Sequence, residues 1–143
     1  MKEIAGATKW LIGKLLDAAG VTALVDDRVF PDAAPADAPH PFILVSLNSA
    51  PVALAVGRGE RLFMDPLYLV KAVSRSDGYA EAYQIGIALD AALNGAFGTV
   101  DVFGDTVQID GCDLEEPYQE TEQEGEDRYA HVGGLYRLTA YEL

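Results

Sequence analysis

The stretch YAHVGGLYRLTAY at residues 129–141 carries the pattern that decides the fold of this 143-residue chain. Its apolar Tyr136 and Leu138 alternate with the polar Arg137, which is the period of a β-strand with one buried face. The Gly133-Gly134 pair predicts a β-bulge near the middle of this strand. A long strand with one core-facing side is therefore expected here.

Other segments upstream also have strand character. The run at residues 42–47 and the longer run at residues 62–73 are apolar on both faces, as in central strands of a sheet. Pro66 is expected to mark a bulge or a strand start, because proline cannot donate to a ladder. Residues 100–109 alternate around a Gly-Asp turn and predict a short hairpin. Residues 112–118 are expected to pair with the strand quoted above.

Two segments show helical patterns. Residues 3–19 place apolar side chains at i, i+3 and i+4 spacing, and Gly20 is expected to end that helix. Residues 21–25 are expected to add a short helical turn. Ser76-Asp77-Gly78 supplies N-cap chemistry for a second helix that runs through about Asn94.

Because the strands do not alternate regularly with helices, these elements predict an α+β fold in a single domain spanning residues 1–143. We expect a mostly antiparallel β-sheet with two main helices packed on one face, plus a protruding β-hairpin and an extended proline-rich arm. The arm is the segment at residues 31–41, which has too many prolines for a helix or a central strand. The hairpin tip at residues 119–127 has five acids and no apolar side chain, so it can bury nothing against a core.

The composition limits the possible functions. The net charge of −13 would repel nucleic acid phosphates, so direct DNA binding is disfavoured. The single cysteine, Cys112, cannot form an intramolecular disulfide, which favours a reducing cytoplasm. Charged residues interrupt the apolar N-terminal segment every few positions, so neither a signal peptide nor a membrane span is expected there.

The strongest polar feature is a run of eleven acids between Asp101 and Asp127, without any lysine or arginine. Such acids could hold a metal ion, form a negative surface, or lie on a solvated hairpin. The spacing lacks a metal-loop pattern, so a purely electrostatic role is the better interpretation and no cofactor is expected. His40 and His131 have no partner at metal-ligand spacing and are interpreted as structural, and Cys112 as a buried small apolar residue.

The order of these segments resembles a known family. An amphipathic helix, VTALVDDRVFP (residues 21–31), a proline-rich arm and PFILVS (residues 41–46) resemble the tail-completion or tail-terminator family of long-tailed bacteriophages and gene transfer agents. PLYLVKAV (residues 66–73) and YAHVGGLYRL (residues 129–138) fit the same family, so the resemblance spans nearly the whole chain. Asp26 departs from it, because glycine is common at that position, and the local turn is expected to differ.

The resemblance implies a structural virion-type protein with no catalytic activity. It implies a ring of six copies that caps the head-proximal end of the tail tube, terminates tube polymerisation and provides the joint to the head. The implied partners are further copies of the chain, the tail tube protein and a head-completion or connector protein, with DNA passing through without specific binding and no membrane involved. The implied location is the host cytoplasm during assembly and then the tail or neck of the particle.

Two sets of residues are candidates for contacts in such a ring, because a ring subunit needs segments that reach its neighbours. The interface candidates lie in the proline-rich arm and in the Gly57-Arg58-Gly59 loop: Pro31, Pro35, Pro39, His40, Pro41, Arg58 and Arg61. The candidates for an acidic surface that faces the lumen or a partner are Glu115, Glu116, Glu120, Glu122, Glu124, Glu126 and Asp127. Negative charge in the lumen would keep passing DNA from binding to the wall.

Three alternative functions remain open from the sequence. A head-completion or connector protein of the neck would have the same size, acidity and tendency to form rings. An acidic inhibitor that mimics DNA would place its carboxylates in the basic groove of a target. A metal-dependent enzyme that uses the carboxylates ranks below both.

Overall fold

The structure is a computed structural model that describes residues 1–54, 61–75 and 78–143. The chain is a mixed α/β protein, with three helices and eight strands in those residues. The helices are α1 (Lys2–Asp17), α2 (Ala19–Val25) and α3 (Ala80–Leu93). The strands are β1 (Val29–Pro31), β2 (Phe42–Ser49), β3 (Val52–Leu54), β4 (Arg61–Met64), β5 (Leu67–Arg75), β6 (Gly98–Val102), β7 (Asp105–Glu124) and β8 (Asp127–Glu142). Across the described ranges, no helix combines the length and apolar character needed to cross a membrane.

The strands form one curled sheet organised around β8. One edge of β8 pairs with β5 along residues 129–137 and then with β4 at Ala140. The other edge pairs with β7 from Val107 to Glu124. β2 and β1 extend the sheet beyond β5, β3 lies beyond β4, and β6 lies beyond β7. Only the β1–β2 pair among these described ladders is parallel, so the sheet is mostly antiparallel.

The two faces of the sheet differ in burial, as the alternation at residues 129–141 predicted. Tyr136, Leu138 and Ala140 are fully buried, and they belong to one core with residues of all three helices. We call this side the helix face. Each large apolar side chain buried there contributes about 2 kcal/mol through loss of water contact. The opposite side of the sheet carries Leu135 and Arg137, which are half-buried, and we call it the open face.

The first helix ends earlier than the sequence predicted. α1 stops at Asp17, and Ala18 has an extended backbone with φ −85° and ψ 109°. Gly20 is therefore not a helix stop, because it lies inside the separate helix α2. The chain changes direction at Ala18, and this change lets Val21 and Val25 of α2 pack into the same core as the buried residues of α1. A short helix at residues 21–25 was predicted and is confirmed.

The third helix begins later than its predicted capping residues. α3 starts at Ala80, and Tyr79 occupies the N-cap position without a side-chain capping bond. The predicted capping residues Ser76 and Asp77 lie outside the described residues. The helix ends at Leu93, next to the predicted stop at Asn94.

The apolar run at residues 62–73 is two strands. β4 ends at Met64 and β5 begins at Leu67. Pro66 therefore directly precedes a strand, which confirms the predicted strand start and not the predicted alternative, a bulge. The run appeared continuous because both strands pair with β8, one after the other.

The predicted bulge at Gly133-Gly134 is wrong. The register of β8 is continuous through both glycines, and the irregularities lie in β7, between Ile109 and Gly111 and between Leu114 and Glu116. The glycines have a different cause, which is close packing. A Cβ on Gly133 would lie 1.9 Å from the carbonyl oxygen of Val70 in the neighbouring strand.

The proline-rich segment folds back instead of extending as the predicted arm. It leaves β1 at Pro31, which is paired with Val45 of β2, and it returns to β2 at Phe42. A turn closes inside it, because the N–H of Ala38 donates to the carbonyl of Pro35 at 2.9 Å. Parallel pairing of β1 with β2 requires this return, because a parallel strand must start at the same end as its neighbour. We call residues 32–41 the proline-rich loop.

Candidate interaction surfaces

The titratable groups of the described chain do not form a reactive centre. No group of three or more His, Cys, Asp or Glu side chains in the described residues is placed to hold a metal ion. Cys112 is fully buried, and burial followed by the charges of Asp113 and Asp90 raises its pKa to about 12. The thiolate therefore does not form near neutral pH, and Cys112 is a packing residue.

Most acids of the β7–β8 hairpin lie on the open face. Residues directly opposite each other in antiparallel strands share a face, and Glu116, Glu120 and Glu122 stand opposite Leu135, His131 and Tyr129. Glu124 follows with the same period of two. We call Glu116, Glu120, Glu122 and Glu124 the acidic face; each of them is solvent-exposed.

The helix face of the same hairpin carries no carboxylate from Pro117 to Gln123, and Arg128 lies on it opposite Gln123. The hydroxyl of Tyr79 forms a hydrogen bond with Thr121, and the hydroxyl of Tyr83 donates to Gln119. Both tyrosines belong to the N-terminal part of α3 and its cap. The helix thus supports the hairpin from one side, while the carboxylates stay on the other.

The remaining acidic candidates have cationic partners or lie in the turn. Glu115, at the bulge, accepts two hydrogen bonds from Arg137 at 2.8 and 3.2 Å, and this contact lowers the pKa of Glu115. Asp127 accepts from Arg75 at 2.6 Å. Glu126 lies in the exposed turn between the strands. The acidic candidates therefore form one surface. Its negative charge is greatest from Glu116 to Glu124 and lower at Glu115 and Asp127, which have arginine partners.

The outer edge of β7 is open to solvent over part of its length. β6 covers this edge only from Asp105 to Ile109. The backbone at Cys112 and Leu114 is then satisfied by Gly95 and Asn94 of the segment after α3. No strand pairs with this edge from Glu115 to Glu124 within the described residues. Pro117 and the exposed carboxylates make that edge a poor template for another strand.

The five interface candidates in the proline-rich segment have different exposures. Pro31, Pro35 and Pro39 are exposed, whereas His40 and Pro41 are half-buried. The Pro41 carbonyl accepts a hydrogen bond from Arg28 Nε at 2.8 Å, and the His40 ring stacks between Phe42 and Tyr129, with centroid distances of 4.8 and 5.1 Å. His40 is therefore an anchor of the loop as well as part of its surface.

The other two interface candidates cannot be placed. Arg58 lies outside the described residues, together with the rest of the Gly57-Arg58-Gly59 loop. Arg61 begins β4, but only its backbone is described. Residues 52–54, which the sequence placed in a loop, form a strand, because β3 pairs with β4 from Val52 to Leu54.

His131 is a buried polar residue under the acidic face. Its side chain lies opposite Glu120, and its Nε2 is 3.0 Å from Glu122 Oε2. Burial, followed by the charge of Lys71, lowers the pKa of His131 below its usual 6.5, so the ring is neutral at pH 7. A neutral ring beside a carboxylate carries its proton on Nε2, which leaves Nδ1 as an acceptor. None of the residues that the structure describes forms a hydrogen bond with that Nδ1.

Sequence reasoning missed several exposed aromatic and aliphatic side chains. Phe103 is 87% exposed and has a φ of 51°, in the turn between β6 and β7. A large side chain with positive φ is uncommon, and such a residue is a candidate for a functional role. Phe97 and Ile87 are also more than two-thirds exposed. The only sequence signal for Phe103 was its place before Gly104 in the predicted turn.

Phe103 and the proline-rich loop lie at opposite ends of β8. The loop contacts Tyr129 through His40, whereas the turn at Phe103 leads into the part of β7 that pairs with Glu142. A strand rises by about 3.3 Å per residue, so these ends are separated by about 40 Å along the strand. The chain thus has one end marked by the exposed Phe103, which we call the Phe103 end, and another end formed by the loop and the hairpin tip.

Two comparisons with known proteins gave a match, one to a protein family and one to a solved structure. The family described as tail completion protein gp17 matches residues 9–133. Among solved structures, a chain from the virion of a native gene transfer agent (GTA) particle superposes with a TM-score of 0.67 at 21% sequence identity. That alignment covers 99% of this chain and 98% of the other, and it shows a shared fold. No curated protein matches this sequence.

Proposed function

Because the chain belongs to the tail completion protein gp17 family, a family of structural phage tail proteins and not of enzymes, we propose that it assembles into a ring of six copies at the head-proximal end of the tail tube. The ring ends tube polymerisation and provides the joint to the head. The observation that carries this proposal is the family match, which spans residues 9–133.

The two different ends of the subunit support a ring. A closed ring of identical subunits needs two unlike surfaces that meet head to tail. The Phe103 end of this chain presents that exposed ring, and the other end presents the exposed prolines Pro35 and Pro39. We propose that Phe103 of one subunit packs against the proline-rich loop of the next. In that arrangement, Pro31, His40 and Pro41 support the loop surface.

The acidic face supports a role for charge in the lumen. The four carboxylates of this face lie on one side of the hairpin: Glu116, Glu120, Glu122 and Glu124. Their negative potentials therefore sum on that side, and together they repel phosphates. We propose that this face, with Glu115, Glu126 and Asp127 beside it, borders the path of the DNA through the ring. The partners proposed for the two flat sides of the ring are the tail tube protein and a head-completion protein.

The first experiment measures assembly. Light scattering at several protein concentrations gives the mass of the purified chain, and electron microscopy of the chain mixed with tail tubes shows where it binds. Rings, and added density at one end of each tube, are the expected result. A chain that stays monomeric and leaves tube ends unchanged would refute the proposal.

A variant pair tests the proposed subunit contact. Phe103→Asn removes the exposed ring but keeps a residue type that tolerates positive φ, so the fold should be retained. We expect it to shift the ring toward monomers. Ile87→Gln removes another exposed apolar side chain, near the middle of the subunit, where it faces neither end. Dissociation by Ile87→Gln alone would place the contact on α3 instead.

A charge variant tests the lumen proposal. Glu120→Lys with Glu124→Lys should make rings retain short duplex DNA in a salt-dependent manner. The matched control, Asp17→Lys with Asp27→Lys, changes the net charge equally at exposed sites that lie in neither the hairpin nor the proline-rich loop. Equal DNA retention by both double variants would contradict a lumen position for the acidic face.

A DNA-mimicking inhibitor is the second candidate function, because the acidic face gathers carboxylates on one side of a strand at spacings of two or four residues. Such a protein would be a monomer that binds a basic partner with strong salt dependence. The mass measurement separates the two functions. A neck connector would also form rings, and it would be found at the head instead of on isolated tail tubes.

A further inference from the structure

A cavity of about 320 Å³ lies between the proline-rich loop and the tip of the β7–β8 hairpin. Its lining includes the apolar side chains of Phe42 and Val73. Three carboxylates, those of Asp32, Glu122 and Glu124, also line it. No lysine or arginine does so among the described residues. The cavity therefore combines an apolar lining with negative charge.

His131 supplies a buried polar group to the same cavity. Its side chain is more than nine-tenths buried, and its Nε2 is occupied by Glu122. No donor among the described residues reaches its Nδ1, so this buried acceptor is unsatisfied. The lining carboxylates are hydrogen-bond acceptors as well, so the cavity favours a ligand that brings donors.

Aromatic rings form one wall of the cavity. His40 stacks against Tyr129 at 5.1 Å and against Phe42 at 4.8 Å, and all three residues line the space. Faces of such rings attract cations. Two cations of this chain lie near the cavity without lining it, because Arg75 is held by Asp127 at 2.6 Å and Lys71 Nζ lies over the Tyr118 ring. The cavity thus has negative charge and aromatic rings that favour a cation, and no cation of the described residues lines it.

We infer that this cavity binds an arginine side chain of a partner protein in the tail or neck. Guanidinium fits better than an ammonium ion, because it is planar, stacks on aromatic rings and can donate two parallel hydrogen bonds to one carboxylate. The volume suits a side chain with its flanking backbone and not a long segment. The negative charge of the lining selects a basic partner. This inference rests on the proposed assembly function, because it names the chemistry of one contact in that assembly.

The test uses the isolated chain and Nα-acetyl-arginine amide as the probe. The ring ¹⁵N signals of His131 are followed by NMR during the titration, with Nα-acetyl-citrulline amide as the uncharged probe of nearly the same shape. We expect the arginine probe to shift the His131 signals with saturation, and the citrulline probe to bind at least about tenfold more weakly. Equal binding of the two probes, or no shift of His131 with either, would overturn the inference.

Two isosteric variants locate the site. Glu122→Gln removes one lining carboxylate from an exposed position, so the fold is kept, and binding of the arginine probe should weaken about fivefold. Glu116→Gln changes the same type of residue on the same face but outside the lining, and it should leave binding unchanged. The same loss in both variants would refute a specific site.

Failure of this inference is separable from failure of the assembly function. The probe binds to the isolated chain, whereas ring formation is measured by mass and microscopy. His131 signals that shift with protein concentration alone would place a second copy of the chain in the cavity, which would overturn the assignment to a different partner.

Discussion

Replacement of Gly133 by alanine should push β5 away from β8 near the centre of the sheet. Gly133 lies in β8 between Lys71 of β5 and Tyr118 of β7, so strands flank it on both sides. A Cβ at this position would lie 1.9 Å from the Val70 carbonyl oxygen and 2.6 Å from Lys71 Cα. Ordinary non-bonded contacts require about 3.5 Å, so the β5 backbone would have to move by more than about 1 Å. No rotamer change relieves a clash between a methyl group and a backbone.

The expected cost follows from those distances. Overpacking of a core costs about 1–3 kcal/mol, and a displaced strand also loses about 1 kcal/mol for each ladder hydrogen bond that lengthens. We therefore expect Gly133→Ala to lower the free energy of unfolding by about 4 kcal/mol. A domain of this size has only about 5–15 kcal/mol in total, so the variant should be close to unfolding at 37 °C.

Urea unfolding followed by tryptophan fluorescence measures this effect. Trp10 is the single tryptophan of the chain and is buried in the core, so its emission reports on global unfolding. Gly134→Ala is the first control, because its methyl group would meet Leu114 Cδ1 at 2.3 Å, the end of a flexible side chain. It should cost about 1–2 kcal/mol. Gly20→Ala has open space around it in α2 and should add about 0.5–1 kcal/mol.

The order of the three variants is the critical outcome. Unfolding midpoints should rise in the order Gly133→Ala, Gly134→Ala, wild type, Gly20→Ala. A Gly133→Ala variant with the wild-type midpoint would refute the close approach of β5 and β8 at this position. A larger loss from Gly134→Ala would show that side-chain packing, and not the backbone contact, requires the glycine pair.

Three further predictions concern single residues. Burial lowers the pKa of His40 and His131 below 6.5 in the folded state, so the unfolded chain takes up protons first as the pH falls. Stability should therefore decrease as the pH drops through about 6.5, and His131→Gln should flatten this slope in urea titrations at about pH 7.5 and 5.5. Cys112, with its pKa raised to about 12, should resist iodoacetamide in the native protein and react with it in about 6 M urea. Mass spectrometry measures the labelling, and rapid labelling of the native protein would contradict the burial of Cys112. Asp26 has a φ of 54° at the end of α2, a backbone angle that glycine adopts without strain. Asp26→Gly should therefore raise the free energy of unfolding by about 1 kcal/mol, despite the loss of the exposed contact between Asp26 and Arg28. An unchanged or lower urea midpoint would argue against backbone strain at this position.

The departure at Asp26 shows how a family resemblance and a structure complement each other. The resemblance marked this position as one where glycine is common, without a reason. The structure supplies the reason, because φ is positive and ψ is −125° in a region that favours glycine. The sequence alone did not contain that backbone angle.

Local patterns carried most of the correct predictions. The alternation at Tyr136 and Leu138, the stripe of α1 and the compact run of β2 each depend only on which face of one element is buried, and each was found. The family resemblance depended on the order of the same elements and is confirmed by the match over residues 9–133. The errors at Gly20 and Gly133-Gly134 arose where packing against another element, and not local preference, chose the residue.

The candidate surfaces were found only in part. The acids of the hairpin were identified by their number, but their gathering on one face depends on the register between β7 and β8, including the bulge after Leu114. His131 was interpreted as structural, and its bond with Glu122 does hold it in place, yet its unsatisfied Nδ1 could not be predicted. The exposed Phe103 was missed, because an apolar residue in a sequence gives no sign of whether anything covers it.

The sequence by itself determined the acidic charge, the helical and strand periods and the family, because these depend on the identity and order of residues along the chain and not on contacts between distant residues. The tertiary structure decided the rest. It brought the proline-rich loop back along β2, placed His40 against Tyr129, and enclosed a cavity between residues almost ninety positions apart, such as Ala33 and Glu122. Such contacts depend on strand register and chain return, which follow from how the whole core packs and not from any single segment.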